Sequence, residues 1–168
     1  MRRLLPFLLI LSACGGGEPG PAAPEVGAIE TVCSASACVD HPAGWEVEVG
    51  ETFLAFRHPI DPERIVASVG AVDMATLVET VGGEWPAPPR DAIVAFWELI
   101  GGGEDASLDG IETRSDGAIR SEGVLEGLRM WHLLVPGFGR SGVGVEVRAP
   151  NGSWEAHADV FLGSLRGR

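Results

Sequence analysis

Trp45-Glu46-Val47-Glu48-Val49-Gly50-Glu51-Thr52-Phe53-Leu54-Ala55-Phe56-Arg57 is the stretch that decides the fold. Up to Val49, apolar and acidic residues alternate, which is the period of a strand with one wet face. Gly50-Glu51 suits a two-residue type II′ turn with glycine first. That register pairs Val49 with Thr52, Val47 with Leu54 and Trp45 with Phe56. All six then share one face, opposite Glu46 and Glu48. A sheet buried on one side requires this division.

Downstream, residues 65–72 (IVASVGAV) are apolar on both faces and read as an inner strand. Residues 74–81 read as a short helix stopped by Gly82-Gly83, and 86–89 as a loop. A helix is predicted over 91–100, with Asp91 as N-cap and Ile93, Phe96, Trp97 and Ile100 in one apolar stripe. Gly101 to Gly103 end it. Asp116-Gly117 marks a hairpin between 111–115 and 118–125. Glu126-Gly127 turns into 128–135 (LRMWHLLV), a second inner strand. Val143, Val145 and Val147 alternate along 143–148. Asn151-Gly152 is a turn, and Trp154, Ala158, Phe161 and Leu165 form the stripe of a closing helix. Strands joined by hairpins and interrupted by helical blocks predict an α+β fold. It would have an antiparallel sheet of about six or seven strands, flanked by two or three helices.

His41-Pro42-Ala43-Gly44-Trp45 and its hairpin resemble the opening of PsbP/Mog1-like domains. The helix over 91–100, the aromatic-aliphatic strand over 129–135 and the closing helix near Phe161-Leu162-Gly163-Ser164-Leu165 are similar to that family too. The resemblance spans about residues 39–165. It implies an α/β/α sandwich and a binding or assembly module, with no shared catalytic site to carry over. Bacterial members include small lipoproteins, plant and cyanobacterial ones serve photosystem assembly, and a yeast-type one binds a small GTPase. Nothing in this sequence points to a photosystem.

Upstream of the domain, Arg2 and Arg3, an apolar run over 4–11 and the small residues Ser12 and Ala13 lead to Cys14. A positive start, a short apolar core and a small-residue exit describe a signal peptide over 1–13. The apolar run is too short to span a bilayer. Leu11-Ser12-Ala13-Cys14 resembles the lipobox of bacterial lipoproteins. That resemblance implies cleavage before Cys14 and covalent diacylglycerol and acyl lipid (palmitate-like chains) on it. The chain would then be an extracytoplasmic lipoprotein, anchored to the cell membrane or the outer membrane. Gly15, in place of aspartate, suggests the outer membrane in a two-membrane bacterium. Residues 14–28, with GGGEPGPAAPEVG over 15–27, read as the lipidated cysteine and a flexible Gly/Pro/Ala linker. Residues 29–168 are left as a single globular domain.

The formal net charge is −12, with no lysine, and loss of Arg2 and Arg3 would make it more negative still. Nucleic acid as a partner is excluded, because such binding rests on Lys and Arg neutralising phosphates. Adsorption of the domain to anionic lipid is disfavoured in the same way. Cys33 and Cys38 in CSASAC are expected to form a disulfide in an oxidising compartment. A redox pair would more often have two residues between the cysteines, and a metal site would need further ligands.

Several residues are candidates for a site. Gly137-Phe138-Gly139-Arg140-Ser141-Gly142 spells G-x-G-x-x-G, but it precedes a strand rather than a helix, so a hairpin loop is expected and not a nucleotide site. Phe138 and Arg140 at its tip, and Trp85 in a Gly/Pro loop, are candidate partner contacts. The hairpin register brings His41 and His58 to one open end, with Asp40 and Asp61 nearby. These four could ligate a transition metal, or they could be two exposed His-Pro turns. His132 reads as a partly buried histidine on a sheet face, and His157 as one on a solvated helix face. No Gly-x-Ser-x-Gly elbow or His-Glu-x-x-His is present. The acidic pairs Glu104-Asp105 and Asp109/Glu112 cannot be paired in space from sequence. The expectation is a non-catalytic binding or assembly module for an envelope protein, with no cofactor beyond the lipid. A small-ligand or metal-binding lipoprotein is the alternative, and a hydrolase using carboxylates the second alternative.

Overall fold

The decisive hairpin forms two residues away from the expected register. In the computed structural model, which describes residues 20–101 and 106–168, strand β3 (Glu46–Val49) pairs with β4 (Phe53–Arg57) so that Val47 faces Phe56 and Val49 faces Leu54. A slip of two leaves every side chain on its expected face, because the strand period is two. The wider turn has two causes. The Phe53 ring lies over Gly50, where a Cβ would come within 2.1 Å of it. The turn's carbonyls at Glu51 and Thr52 accept hydrogen bonds from Ala35 N–H and Ser36 Oγ of an earlier loop. Trp45, Leu54 and Phe56 are buried, but Val47 and Val49 are exposed because β3 is a sheet edge.

The remaining elements follow in the expected order: β5 (Val66–Asp73), α1 (Met74–Thr80), α2 (Pro89–Ile100), β6 (Ala106–Thr113), β7 (Ile119–Leu125), β8 (Leu128–Pro136), β9 (Ser141–Ala149) and α3 (Glu155–Ser164). They build an antiparallel seven-stranded sheet in the order β3-β4-β5-β9-β8-β7-β6. Three elements are additions to the expected set. β1 (Ile29–Cys33) and β2 (Ala37–Pro42) form a hairpin, and β10 (Arg166–Gly167) pairs with β2 to complete a second, three-stranded sheet. Its turn is where the disulfide sits, joining Cys33 to Cys38, which face each other in register.

The sheet has a core on each face. Leu133, Val145, Val147 and Trp131 pack under α3 and β2, where Trp154, Ala158, Phe161 and Val39 are buried. Met130, Leu134 and Ile119 pack under α1 and α2, against Val78, Ile93 and Trp97. The middle of β8, Met130 to Leu134, is buried because both its faces are covered. Trp97 crosses β7 closely: its Nε1–H donates to Ser121 Oγ at 2.9 Å, and a Cβ at position 123 would sit 2.7 Å from its ring, so Gly123 makes room for it.

Helix α2 begins two residues earlier than expected. Pro89 takes the first helical position, where its missing N–H costs no intrahelical bond. Asp91 is therefore in the first turn and not the N-cap. It still complements the positive end of the helix dipole.

The N-terminal segment also differs from expectation. Residues 20–24 do not behave as a spacer. The Gly20 carbonyl accepts from Asn151 Nδ2 (3.1 Å) and the Pro21 carbonyl from Trp154 Nε1 (2.9 Å). Ala23 N–H donates to Ser153 Oγ at 3.0 Å, and the Pro24 carbonyl lies 2.9 Å from His157 Nε2. This strap lies along the start of α3, so the ordered part of the chain begins before residue 29. Cys14 lies outside the described residues. Among those described, no helix is long and apolar enough to cross a membrane.

Candidate functional site

The 137–141 loop joins β8 to β9 and projects one side chain. Gly137 N–H donates to the Ser141 carbonyl (2.8 Å), and Ser141 Oγ–H donates to the Phe138 carbonyl (2.8 Å). Gly139 has φ +66°, a conformation that favours glycine. This closed loop leaves Phe138 98% exposed. As expected, the G-x-G-x-x-G run is a hairpin loop and opens no helix.

Arg140 turns back from the tip. Its Nε donates to both Asp73 oxygens (2.9 and 3.1 Å), and its terminal nitrogen donates to Thr76 Oγ1 at 3.2 Å. The Arg140 carbonyl accepts from Met74 N–H. Asp73 is also the N-cap of α1, taking the Thr76 N–H at 3.1 Å. The guanidinium and this N-cap bond hold the Asp73 carboxyl well below its usual range, at about 2. Asp73 in turn raises the Arg140 guanidinium. The pair fixes the loop to the start of α1.

Behind this pair lies a cavity of about 330 Å³ between α1, α2 and the sheet. Its walls include Val72, Leu77, Ile93, Phe96, His132 and Leu134. The His132 ring is stacked on Phe96, with centroids 4.6 Å apart and 17° between planes. Its Nδ1 is buried with no hydrogen-bond partner, and burial pushes the imidazole down to about 4. His132 is thus neutral at physiological pH. Asp73, Phe96 and Thr76 were not legible as site residues. Phe96 fits the apolar stripe of α2 equally well, and Asp73 is one of many acids.

Trp85 is half-buried against the α1/α2 core and is not an exposed anchor. The expected metal set is not assembled. His41 and Asp40 are adjacent on β2 and so point to opposite faces. The His41 ring packs on Phe56 and Phe161, and its Nδ1–H donates to the Pro42 carbonyl at 3.0 Å. Asp40 instead binds Thr31 Oγ1 (2.7 Å) and Arg166 (3.1 Å). His58 lies edge-on to Trp45 and Trp154, and Asp61 sits in the following turn with Arg64. The two histidines belong to a buried aromatic cluster and are not exposed turns. Among the described residues, no three His, Cys, Asp or Glu side chains are grouped to hold a metal ion. His157, expected on a solvated face, is buried in the same cluster beneath the strap. Burial lowers the His58 pKa, and the neighbouring His157 lowers it further.

Asp109 and Glu112, the described members of the acidic pairs, take different partners. Asp109 binds Arg129 at 2.6 Å. Glu112 lies in a groove with Glu122 and Glu155 around Arg120, which is held by Glu155 (3.6 Å) and Asp159 (3.0 Å). Glu104 and Asp105 lie outside the described residues.

The architecture is that of a PsbP-like α+β sandwich. The solution structure of cyanobacterial PsbP from Synechocystis superposes with a TM-score of 0.60, covering 88% of this chain and 98% of that one at 15% identity. That likeness is one of fold. A crystal structure of a Bacteroides thetaiotaomicron protein covers 79% of this chain and 45% of its own, at 21% identity and a TM-score of 0.39. No family model and no curated protein matches the sequence.

Proposed function

We propose that the chain is an extracytoplasmic, lipid-tethered binding module that holds an envelope protein partner through the tip of the β8–β9 loop. The observation that carries this reading is Phe138, 98% exposed on a loop closed by its own hydrogen bonds and fixed to α1 through Arg140 and Asp73. A large apolar side chain carried on a loop whose backbone is already fixed costs little backbone entropy on docking, which is what an interface anchor requires. The disulfide supports maturation in an oxidising compartment. The lipobox-like sequence ending at Cys14 supports the tether. The PsbP-like fold favours binding or assembly over catalysis by analogy.

Mild crosslinking and capture from the native host, with wild type, Phe138→Ala and Cys14→Ala compared, tests the proposal. Phe138 touches nothing that stabilises the fold, so Phe138→Ala should leave Tm unchanged. It should weaken the captured partner's affinity by about tenfold or more. Cys14→Ala should release the chain from the membrane fraction. A partner held equally well by Phe138→Ala, or no specific partner with wild type, overturns the reading.

A further inference from the structure

The cavity under α1 and α2 carries its own chemistry, separate from the Phe138 tip. Its volume, about 330 Å³, falls at the small end of ligand pockets, which run from about 300 to 1,000 Å³. The walls are apolar apart from His132, with Asp73 and Thr76 at the exposed mouth. The glycines of β9 let these walls lie flat on the sheet. A Cβ at position 144 would stand 3.1 Å from Val72 Cγ2 and 3.3 Å from His132 Nε2, and one at 142 would stand 3.1 Å from Leu134 Cδ1.

From this we infer that the cavity binds a small, uncharged, largely apolar molecule bearing one hydroxyl, seated beside Phe96 and hydrogen-bonded to the His132 imidazole. A neutral imidazole presents one N–H donor and one bare nitrogen, and a hydroxyl can satisfy either. His132 Nδ1 is sealed without a partner, whereas Nε2 is not sealed and makes no hydrogen bond among the described residues, so Nε2 is the ring nitrogen a ligand hydroxyl meets from the cavity. An anionic ligand does not suit the site. Asp73 stands at the mouth, and the Arg140 guanidinium beside it is already bound by Asp73 and Thr76. A cation would have to give up its hydration to apolar walls. What remains is a neutral molecule of about two fused rings in size, with a single polar group.

The test uses the full chain and two probes, 2-naphthol and naphthalene, which differ only in the hydroxyl. Binding is read by fluorescence titration and by NMR shifts of the Phe96 and His132 rings. Wild type should bind 2-naphthol saturably, with shifts at both rings, and should favour it over naphthalene by about fivefold, the worth of one hydrogen bond. In His132→Leu that preference should fall below about twofold while naphthalene still binds. Leu77→Trp fills the cavity and should weaken both probes by about tenfold or more. Ala71→Trp blocks the mouth from an exposed position and serves the same purpose should Leu77→Trp fail to fold. Absence of saturable binding, or unchanged binding in the cavity-filling variant that folds, overturns the site. Equal affinity of wild type for the two probes overturns the assignment of a hydroxyl. None of these outcomes depends on Phe138.

Discussion

His132 shows how one residue's surroundings become a property of the whole chain. Burial holds its imidazole at about 4 in the folded state, against about 6.5 when unfolded. Between those values the unfolded chain binds a proton that the folded chain refuses, so stability rises with pH. The contribution is complete above about pH 6.5, shrinks as pH falls through the window, and is gone below about 4. In total it is about 3 kcal/mol. His58, lowered by burial and by His157, acts with the same sign. Urea denaturation of wild type and His132→Leu at pH 7 and pH 4.5 should show wild type losing about 2 kcal/mol more than the variant on acidification. Equal losses would mean that His132 is solvated. The sequence placed His132 on a partly covered strand face, because it alternates with Met130 and Leu134. It did not reveal the partnerless nitrogen, since that depends on which side chains of α2 and β9 arrive opposite. Phe138 was legible as a loop tip from its flanking glycines. Trp85 was not legible as half-buried, because a loop aromatic folds back only if a core edge lies within reach.

At the scale of elements, hydropathy period and turn residues located β3, β4, β5, α1, α2, β8, β9 and α3. They failed where an element depends on a distant neighbour. β1 is exposed along most of its length and has no apolar alternation of its own. It exists because β2 pairs with it and the Cys33–Cys38 bond closes their turn. The 50–53 turn widened because the 34–36 loop supplies donors to its carbonyls. These two facts connect the small sheet to the large one. Converting both cysteines to serine should therefore lower stability by about 2 kcal/mol, the value expected for so short a closed loop. Hydrogen exchange should speed up first in β1 and β2, and then at the 50–53 turn. Faster exchange confined to β1 would show that the two sheets are not coupled there.

For the whole molecule, the strap over residues 20–24 is the largest departure from what composition implied. A Gly/Pro/Ala segment cannot fold alone, but it can dock where a folded surface offers unsatisfied donors. Trp154 Nε1, Asn151 Nδ2 and His157 Nε2 are such donors, and the carbonyls of Gly20, Pro21 and Pro24 accept from them. A chain beginning at residue 29 should be less stable than one beginning at residue 15 by about 2 kcal/mol or more, because the strap's hydrogen bonds and the packing of Ala23 on the core are lost. Thermal and chemical denaturation of the two chains checks this, and equal stability would return the segment to the role of a loose tether.

The sequence by itself determined the α+β class, the antiparallel sheet, the order of its helices and strands, and the net acidity of the chain. These follow from local pattern: period two against period 3.6, glycine-marked turns, and the count of charges. The tertiary structure alone decided the β3–β4 register, the second sheet, the docking of the strap, the burial of His41, His58 and His157 in an aromatic cluster, and the cavity beside His132. Each of these depends on contacts between segments far apart in the chain. Which side chains meet there is fixed by how the two faces of the sheet are covered, and no local period encodes that.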